Sequence, residues 1–234
     1  MQTKFKEIYD RIEQDIRRGE YDETRRLKSE DEYVTLYDVS RVTVRHAIDQ
    51  LIRRGYCYPV QGKGVFLRRH KIADATNLEN IRGLTRDLSP QVVTSKILTF
   101  QQIPADAFLA DKLDCDVDTP LTFIERQRFA DGQAISIERL YYNSENVPLT
   151  PDACLGSIYD YVQSKLGIKL CFIDYVIEAV RLTRYEAELL SLHEGDPGFQ
   201  FENLGMDRKG LVVHYGKTVY HYEKIRSLKM ASYL

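Results

Sequence analysis

No apolar run in this 234-residue chain approaches the roughly 18 residues that a membrane-spanning helix needs. The N-terminal MQTKFKEIYD carries charges where a signal peptide would have an apolar core. The reading is a chain with no membrane partner, and the cytoplasm is its expected location. Cysteine is scarce: Cys57, Cys115, Cys154 and Cys171 stand far apart, with no C-x-x-C and no paired His. That excludes a disulfide framework and a zinc site, and points to free, mostly buried thiols in a reducing compartment. Repeats and low-complexity tracts are absent. So are an ordered Ser/His/Asp set and a cofactor fingerprint, and no catalytic residue, metal or cofactor is assigned. His214 and His221, seven apart, fall on opposite faces of one strand and make no metal pair.

What is present suits a soluble globular protein of one or two domains: 43% hydrophobic and 29% charged residues, with a mean hydropathy of -0.40. The net charge of -2 hides an asymmetry. Residues 1–72 hold 16 Lys and Arg against 12 Asp and Glu, net +4, and residues 73–234 hold 17 against 23, net -6. Within 41–71, eight basic residues (Arg41, Arg45, Arg53, Arg54, Lys63, Arg68, Arg69, Lys71) face one acid, Asp49. A local excess of this kind is the footprint of a nucleic-acid contact, or else a solvated basic face.

Periodicity decides how those charges are displayed. Phe5, Ile8, Tyr9, Ile12 and Ile16 line one stripe of a helix that Gly19 ends. Ser29-Glu30-Asp31-Glu32 has capping-box spacing and opens a second helix whose buried side is Tyr33, Leu36 and Tyr37. Ser40 caps a third, with Val44, Ala47, Ile48 and Leu51 inward, so Arg41 and Arg45 project together on another face. Gly55 closes it, and Tyr56–Val60, the turn Gln61-Gly62-Lys63-Gly64 and Val65–Leu67 form a hairpin. The glycines of that turn lack the spacing of a nucleotide phosphate loop. A tight turn before an outward basic helix, followed by a basic hairpin, makes a winged helix-turn-helix, in which the third helix enters the major groove.

Leu27-Lys28-Ser29-Glu30, Val39-Ser40-Arg41-Val42-Thr43-Val44-Arg45 and Gln61-Gly62-Lys63-Gly64-Val65-Phe66 resemble the three signature motifs of GntR-type bacterial repressors, in order and at the right separations. The resemblance implies helix contacts to DNA from Ser40, Arg41, Thr43 and Arg45, and wing contacts from Gln61 and Gly62. The cation Lys63 of the same turn is counted with them. Lys28 stands where the family usually has Pro, and Asp31 where it usually has an Arg that touches DNA, so operator strength or sequence is expected to differ.

Residues 71–80 are polar and weakly periodic and are read as a linker between domains 1–70 and 81–234. Beyond it, strands (92–100, 121–129, 134–142, 172–182, 198–207, 211–223) alternate with helices (105–113, 157–166, 184–190), which predicts an α+β domain with an antiparallel sheet. Alternation puts Ile124, Arg126 and Arg128 on one strand face, the two Arg roughly 7 Å apart. A three-residue loop Ala130-Asp131-Gly132 would pair Phe129 with Gln133, placing Ser136 opposite Arg126 and Glu138 opposite Ile124 on the same face. A two-residue loop would send Glu138 to the other face. The shared face reads as a structural ion pair or a solvated face, or else as a pocket where two guanidiniums clamp a phosphate or carboxylate while Glu138 accepts hydrogen bonds from hydroxyl or amino groups.

Gly83-Leu84-Thr85, Ile124-Glu125-Arg126-Gln127-Arg128 with Glu138, Ser157-Ile158-Tyr159 and Tyr220-His221-Tyr222-Glu223 are similar to the UTRA effector domain of HutC-type GntR regulators, over residues 81–226. The resemblance implies a chorismate-lyase-like fold and effector contacts in which Thr85, Arg126, Arg128 and Ser157 hold an anionic group while Glu138, Tyr159 and Tyr220 line the rest. Such a protein is expected to be a homodimer on palindromic double-stranded operator DNA, and a repressor released by a small anionic metabolite such as a sugar phosphate. An enzyme of the same fold, or an adaptor without DNA affinity, are the alternatives.

Overall fold

The computed structural model describes residues 4–53, 55–68, 76–78 and 83–229, which fall into two compact units dividing near residues 80 and 227.

The first unit holds α1 (Lys4–Arg17), α2 (Glu30–Tyr37), α3 (Arg41–Arg53) and the hairpin β1 (Cys57–Val60) and β2 (Gly64–Leu67). Ile8, Ile12, Tyr33, Val44, Ala47 and Leu51 close its core. The inward face expected of α3 is therefore buried. Leu36, assigned to the buried side of α2, is exposed: α2 spans only two turns, and Tyr33 with half-buried Val34 and Tyr37 fills its inner side. The capping box forms, Ser29 accepting from the Glu32 amide and Glu32 from the Ser29 amide. Gly55, at φ 73, closes α3 with paired bonds from the Gly55 amide to the Ile52 carbonyl and from the Tyr56 amide to the Leu51 carbonyl, both 2.9 Å. Residues 25–27 run beside β2, with the Leu27 amide bonded to the Val65 carbonyl at 2.9 Å and the Leu67 amide to the Arg25 carbonyl at 2.7 Å. Of the span read as a linker, residues 71–75, 79 and 80 lie outside the described residues. Thr76–Asn77 form β3, parallel to Ser227–Leu228 (β10), so the end of the described chain joins the first unit.

The second unit is a six-stranded antiparallel sheet built from β4 (Val93–Pro104), β5 (Pro120–Ala130), β6 (Gln133–Asn143), β7 (Leu170–Arg181), β8 (Pro197–Asp207) and β9 (Val212–His221), in the order β4-β5-β6-β9-β8-β7. Helices α5 (Ala107–Leu113) and α8 (Arg184–Leu190) cover one face, burying Leu121, Ile137 and Val219. The other face carries Ile124, Leu140 and Tyr142 against α6 (Pro151–Leu155) and α7 (Ile158–Ser164), while Leu84 of the short α4 (Leu84–Asp87) packs on Ala130 and Ile135. The long elements match the sequence reading to within a few residues at their ends. The one-turn elements α4 and α6 lie outside it because four or five residues carry no readable period.

The β5–β6 hairpin corrects the expected register. Ala130 pairs with Gln133, so the loop is the two-residue turn Asp131-Gly132, both at positive φ (47 and 79). A bulge at Ile135 then restores the parity that this turn would have reversed. Arg128 faces Ser136 and Arg126 faces Glu138, in place of the Arg126–Ser136 and Ile124–Glu138 pairs.

Candidate functional sites

On the first unit the outward side of α3 presents Arg41, Val42, Arg45 and His46, all exposed. Ser40 holds the helix start: its hydroxyl accepts the Thr43 amide at 3.2 Å and bonds the Thr43 hydroxyl at 2.7 Å. Both arginines are already engaged. Arg45 grips Glu30 through Nε (3.0 Å) and one terminal nitrogen (2.9 Å), and Arg41 pairs with Asp31. Asp31, at the position where the family usually has an Arg that touches DNA, thus sits against a cation of the expected DNA face. Gln61, Gly62 and Lys63 are exposed at the wing tip, with Gly62 at φ 72 and nothing near its missing side chain. Arg54, Arg69 and Lys71 lie outside the described residues. Sequence reasoning passed over Val42, which is 65% exposed between the arginines and suits contact with a thymine methyl.

On the second unit, strand register sorts the α7-side face into rows. One row runs Ser95, Arg128, Ser136, Tyr220, Phe199; the next runs Ile97, Arg126, Glu138, Thr218, Phe201. Arg126 donates from Nε to Glu138 at 2.6 Å and from a terminal nitrogen to the carbonyls of Cys154 (2.6 Å) and Gly156 (2.9 Å), which pins the α6–α7 connection. Arg128 donates to Glu138 at 3.2 Å and to the Thr85 hydroxyl at 2.8 Å. Their side chains are 5% and 3% exposed, and that of Glu138 9%. Burial by itself would raise the Glu138 pKa; Arg126 and Arg128 outweigh it and hold the carboxyl below its ordinary value. Burial pushes Arg128 down, with Arg126 adding to the effect while Glu138 opposes it.

Ser157 uses its hydroxyl to cap α7, accepting the Asp160 amide at 3.2 Å. Tyr159 packs over Gly83, where a side chain would begin 3.2 Å from the ring, and its hydroxyl meets His214 Nε2 at 3.1 Å. His214 also bonds Asn203 Oδ1 at 2.8 Å, and burial lowers its pKa to about 4, so the imidazole is neutral near pH 7. Tyr220 is half-buried and meets Phe201 edge-on at 5.0 Å. Burial raises the pKa of Tyr159 and of Tyr220, so both keep their protons as donors. Thr85, Arg126, Arg128 and Glu138 are therefore one bonded group. Tyr220 adjoins it in the sheet rows, Tyr159 of α7 bonds His214 on the same sheet face, and Ser157 follows the Gly156 carbonyl that Arg126 holds. Ser95, Asn203, Phe201 and Thr218 share the face, and no local pattern marks them; only cross-strand register brings them in.

A winged head with cations on its third helix, joined to a separate α+β sheet domain, defines a DNA-binding regulator with an appended domain. The profile of the bacterial regulatory proteins of the gntR family matches residues 4–67, and that of the UTRA domain matches residues 89–226. The chain belongs to the GntR family of transcription regulators, in the arrangement that ends in a UTRA domain. It is 29% identical over 232 residues to the HTH-type transcriptional regulator TreR of Bacillus subtilis (strain 168), covering 98% of this chain and 97% of the relative. It is 26% identical over 223 residues to the HTH-type transcriptional repressor NagR of the same organism, covering 94% and 91%. The crystal structure of YydK from Bacillus subtilis superposes with a TM-score of 0.84 at 26% identity, covering 99% of this chain and 100% of that one. These relatives are transcription regulators, not enzymes, and GntR-type regulators bind operator DNA. Among the described residues no helix is long and apolar enough to cross a membrane.

Proposed function

We propose that the chain is a repressor that binds a palindromic operator as a homodimer and is released when the UTRA domain takes up a small anionic metabolite, a sugar phosphate fitting best. The observation that carries the reading is charge: two buried guanidiniums share one carboxylate, leaving an excess positive charge in the fold. Buried charge without a counter-ion is costly, and a ligand phosphate supplies what the protein lacks. The surrounding hydroxyls and rings (Thr85, Tyr159, Thr218, Tyr220, Phe201) offer partners for sugar hydroxyls and for the apolar face of a sugar ring. Control requires only that the metabolite bind one arrangement of the two heads better than the other. Arg41 and Arg45, with Ser40, Thr43, Gln61, Gly62 and Lys63, are assigned to DNA.

The test is operator binding to DNA from around the protein's own gene, titrated with phosphorylated sugars and with the same sugars lacking phosphate. Release by a phosphorylated member alone supports the reading. Release by the neutral sugars at equal concentration contradicts the anionic part of it.

A further inference from the structure

We propose that Leu228 is a positioning residue that fastens the C-terminal tail to the winged head, so that the tail carries the effector signal from strand β9 to the DNA-binding unit. This rests on the ligand-responsive reading above and adds the route. The chain passes between its two units twice: after residue 80, and again after Arg226, where Ser227 onward returns to the first unit. Within that unit Ser227 and Leu228 pair with Thr76 and Asn77, and the Leu78 amide donates to the Leu228 carbonyl at 3.0 Å. The half-buried Leu228 side chain packs on the hydrophobic core of the head. A two-residue strand pair is too small to hold by itself, so the packing of Leu228 is what fixes the tail.

The other end of the tail is β9. Its Thr218 faces Glu138 and its Tyr220 faces Ser136 across β6 and β9, on the sheet face assigned to the effector. Only residues 221–226 separate Tyr220 from Ser227. Drawn out, such a stretch would span roughly 20 Å and could absorb a shift of the strand. It is folded back instead. The Lys224 amide donates to the His221 carbonyl at 3.0 Å and the Glu223 amide to His221 Nδ1 at 3.2 Å, while the rings of His221 and Tyr222 stack at 5.6 Å and Ile225 is buried. A connection pinned in this way has little slack, so a change in β9 reaches the Leu228 anchor. Coupling between two binding sites is reciprocal: if effector on β9 alters the affinity for DNA, DNA on the head alters β9.

The reciprocal direction gives a test that needs no effector. The probe is an operator duplex selected from random-sequence DNA by the full chain, and the readout is hydrogen exchange of the β9 amides with and without it. In the wild type the duplex should change exchange within β9. Leu228→Ala should bind the same duplex with an affinity near that of the wild type and lose the β9 response; Leu228→Ile should keep it. A disulfide between Thr76→Cys and Ser227→Cys, which face each other in the ribbon, refastens the tail without the leucine. In the Leu228→Ala background the β9 response should return on oxidation and vanish on reduction with dithiothreitol, which a leucine serving only the fold of the head would not produce. A wild type that binds the duplex with β9 unchanged overturns the proposal and leaves the repressor reading standing. So does a Leu228→Ala protein that keeps the response or no longer binds the duplex, and so does a response that oxidation fails to restore. A full chain that selects no duplex removes the repressor reading itself, and the route with it.

Discussion

Each unit of this chain sets a pair of arginines against carboxylates, and the two settings differ in almost every physical respect. In the head, Arg41 and Arg45 lie one helical turn apart, each 58% exposed in its side chain, and each has a carboxylate of its own on α2. In the UTRA domain, Arg126 and Arg128 lie two apart on a strand, nearly fully buried, and share Glu138. Exposed ion pairs contribute little because water competes for both partners and salt screens them. The head's guanidiniums can therefore exchange a carboxylate for DNA at small cost. A buried guanidinium has no such freedom, and its partners are part of the fold. The same residue types thus suit reversible docking in one unit and form a fixed charge in the other.

The largest expected effect breaks the comparison on the buried side. Glu138→Ala would leave two guanidiniums facing each other without a counter-charge, and denaturant unfolding should show a loss of about 3–5 kcal/mol. Asp31→Ala, the exposed counterpart, should leave the midpoint where it is. A Glu138→Ala protein as stable as the wild type would mean that water reaches the cluster.

Next comes pH, through His214 in the same buried face. Its folded pKa, about 4, lies below the 6.5 of the unfolded chain. As pH falls below 6.5 the unfolded state takes up a proton that the folded state refuses, so stability drops between those values and levels off beneath the lower one. The shift corresponds to about 3 kcal/mol. His214→Gln keeps an amide donor for Asn203 and should flatten the stability curve across that window; an unchanged slope would place the proton elsewhere.

On the exposed side the effects are read in DNA binding. Arg45→Ala should weaken operator binding about tenfold to a hundredfold at fixed salt if the side chain reads a base, with unfolding unchanged. Unchanged affinity would remove Arg45 from the interface. The smallest effect is expected of Asp31→Arg, which frees Arg41 and adds a cation. Binding to unrelated sequences should tighten by a few fold, and the slope of log affinity against log salt should steepen by up to about 0.9 for each further phosphate neutralised. Tightening on one sequence alone would indicate base reading instead.

The head was almost wholly legible, because its contacts are local: a capping box, a helical stripe, a glycine stop and a hairpin turn each declare themselves within a few residues. What escaped there was the partner of Asp31, ten residues away on the next helix, and the exposure of Leu36 on the two-turn α2. In the UTRA domain the strands were legible and their register was not. Asp131-Gly132 reads equally as the end of a three-residue loop or as a two-residue turn, and nothing in the sequence announces the bulge at Ile135. The expectation that Glu138 joins the arginine face survives, although it rested on the wrong loop, because turn and bulge each shift parity by one. The loop length misplaced Ser136, which faces Arg128 and not Arg126. Ser95 and Asn203 come from strands whose order in the sheet no local pattern encodes.

The most direct test uses Arg128→Ala in operator binding titrated with the releasing metabolite. Removing Arg128 leaves Arg126 and Glu138 as a balanced pair, so the domain should fold, and the winged head should bind operator as the wild type does. Affinity for the metabolite should fall tenfold or more, since a charge-assisted contact is lost, and the operator should stay occupied at concentrations that release the wild type. Release at the wild-type concentration would show that Arg128 serves only the ion pair, and the excess buried charge would not be the seat of the anion.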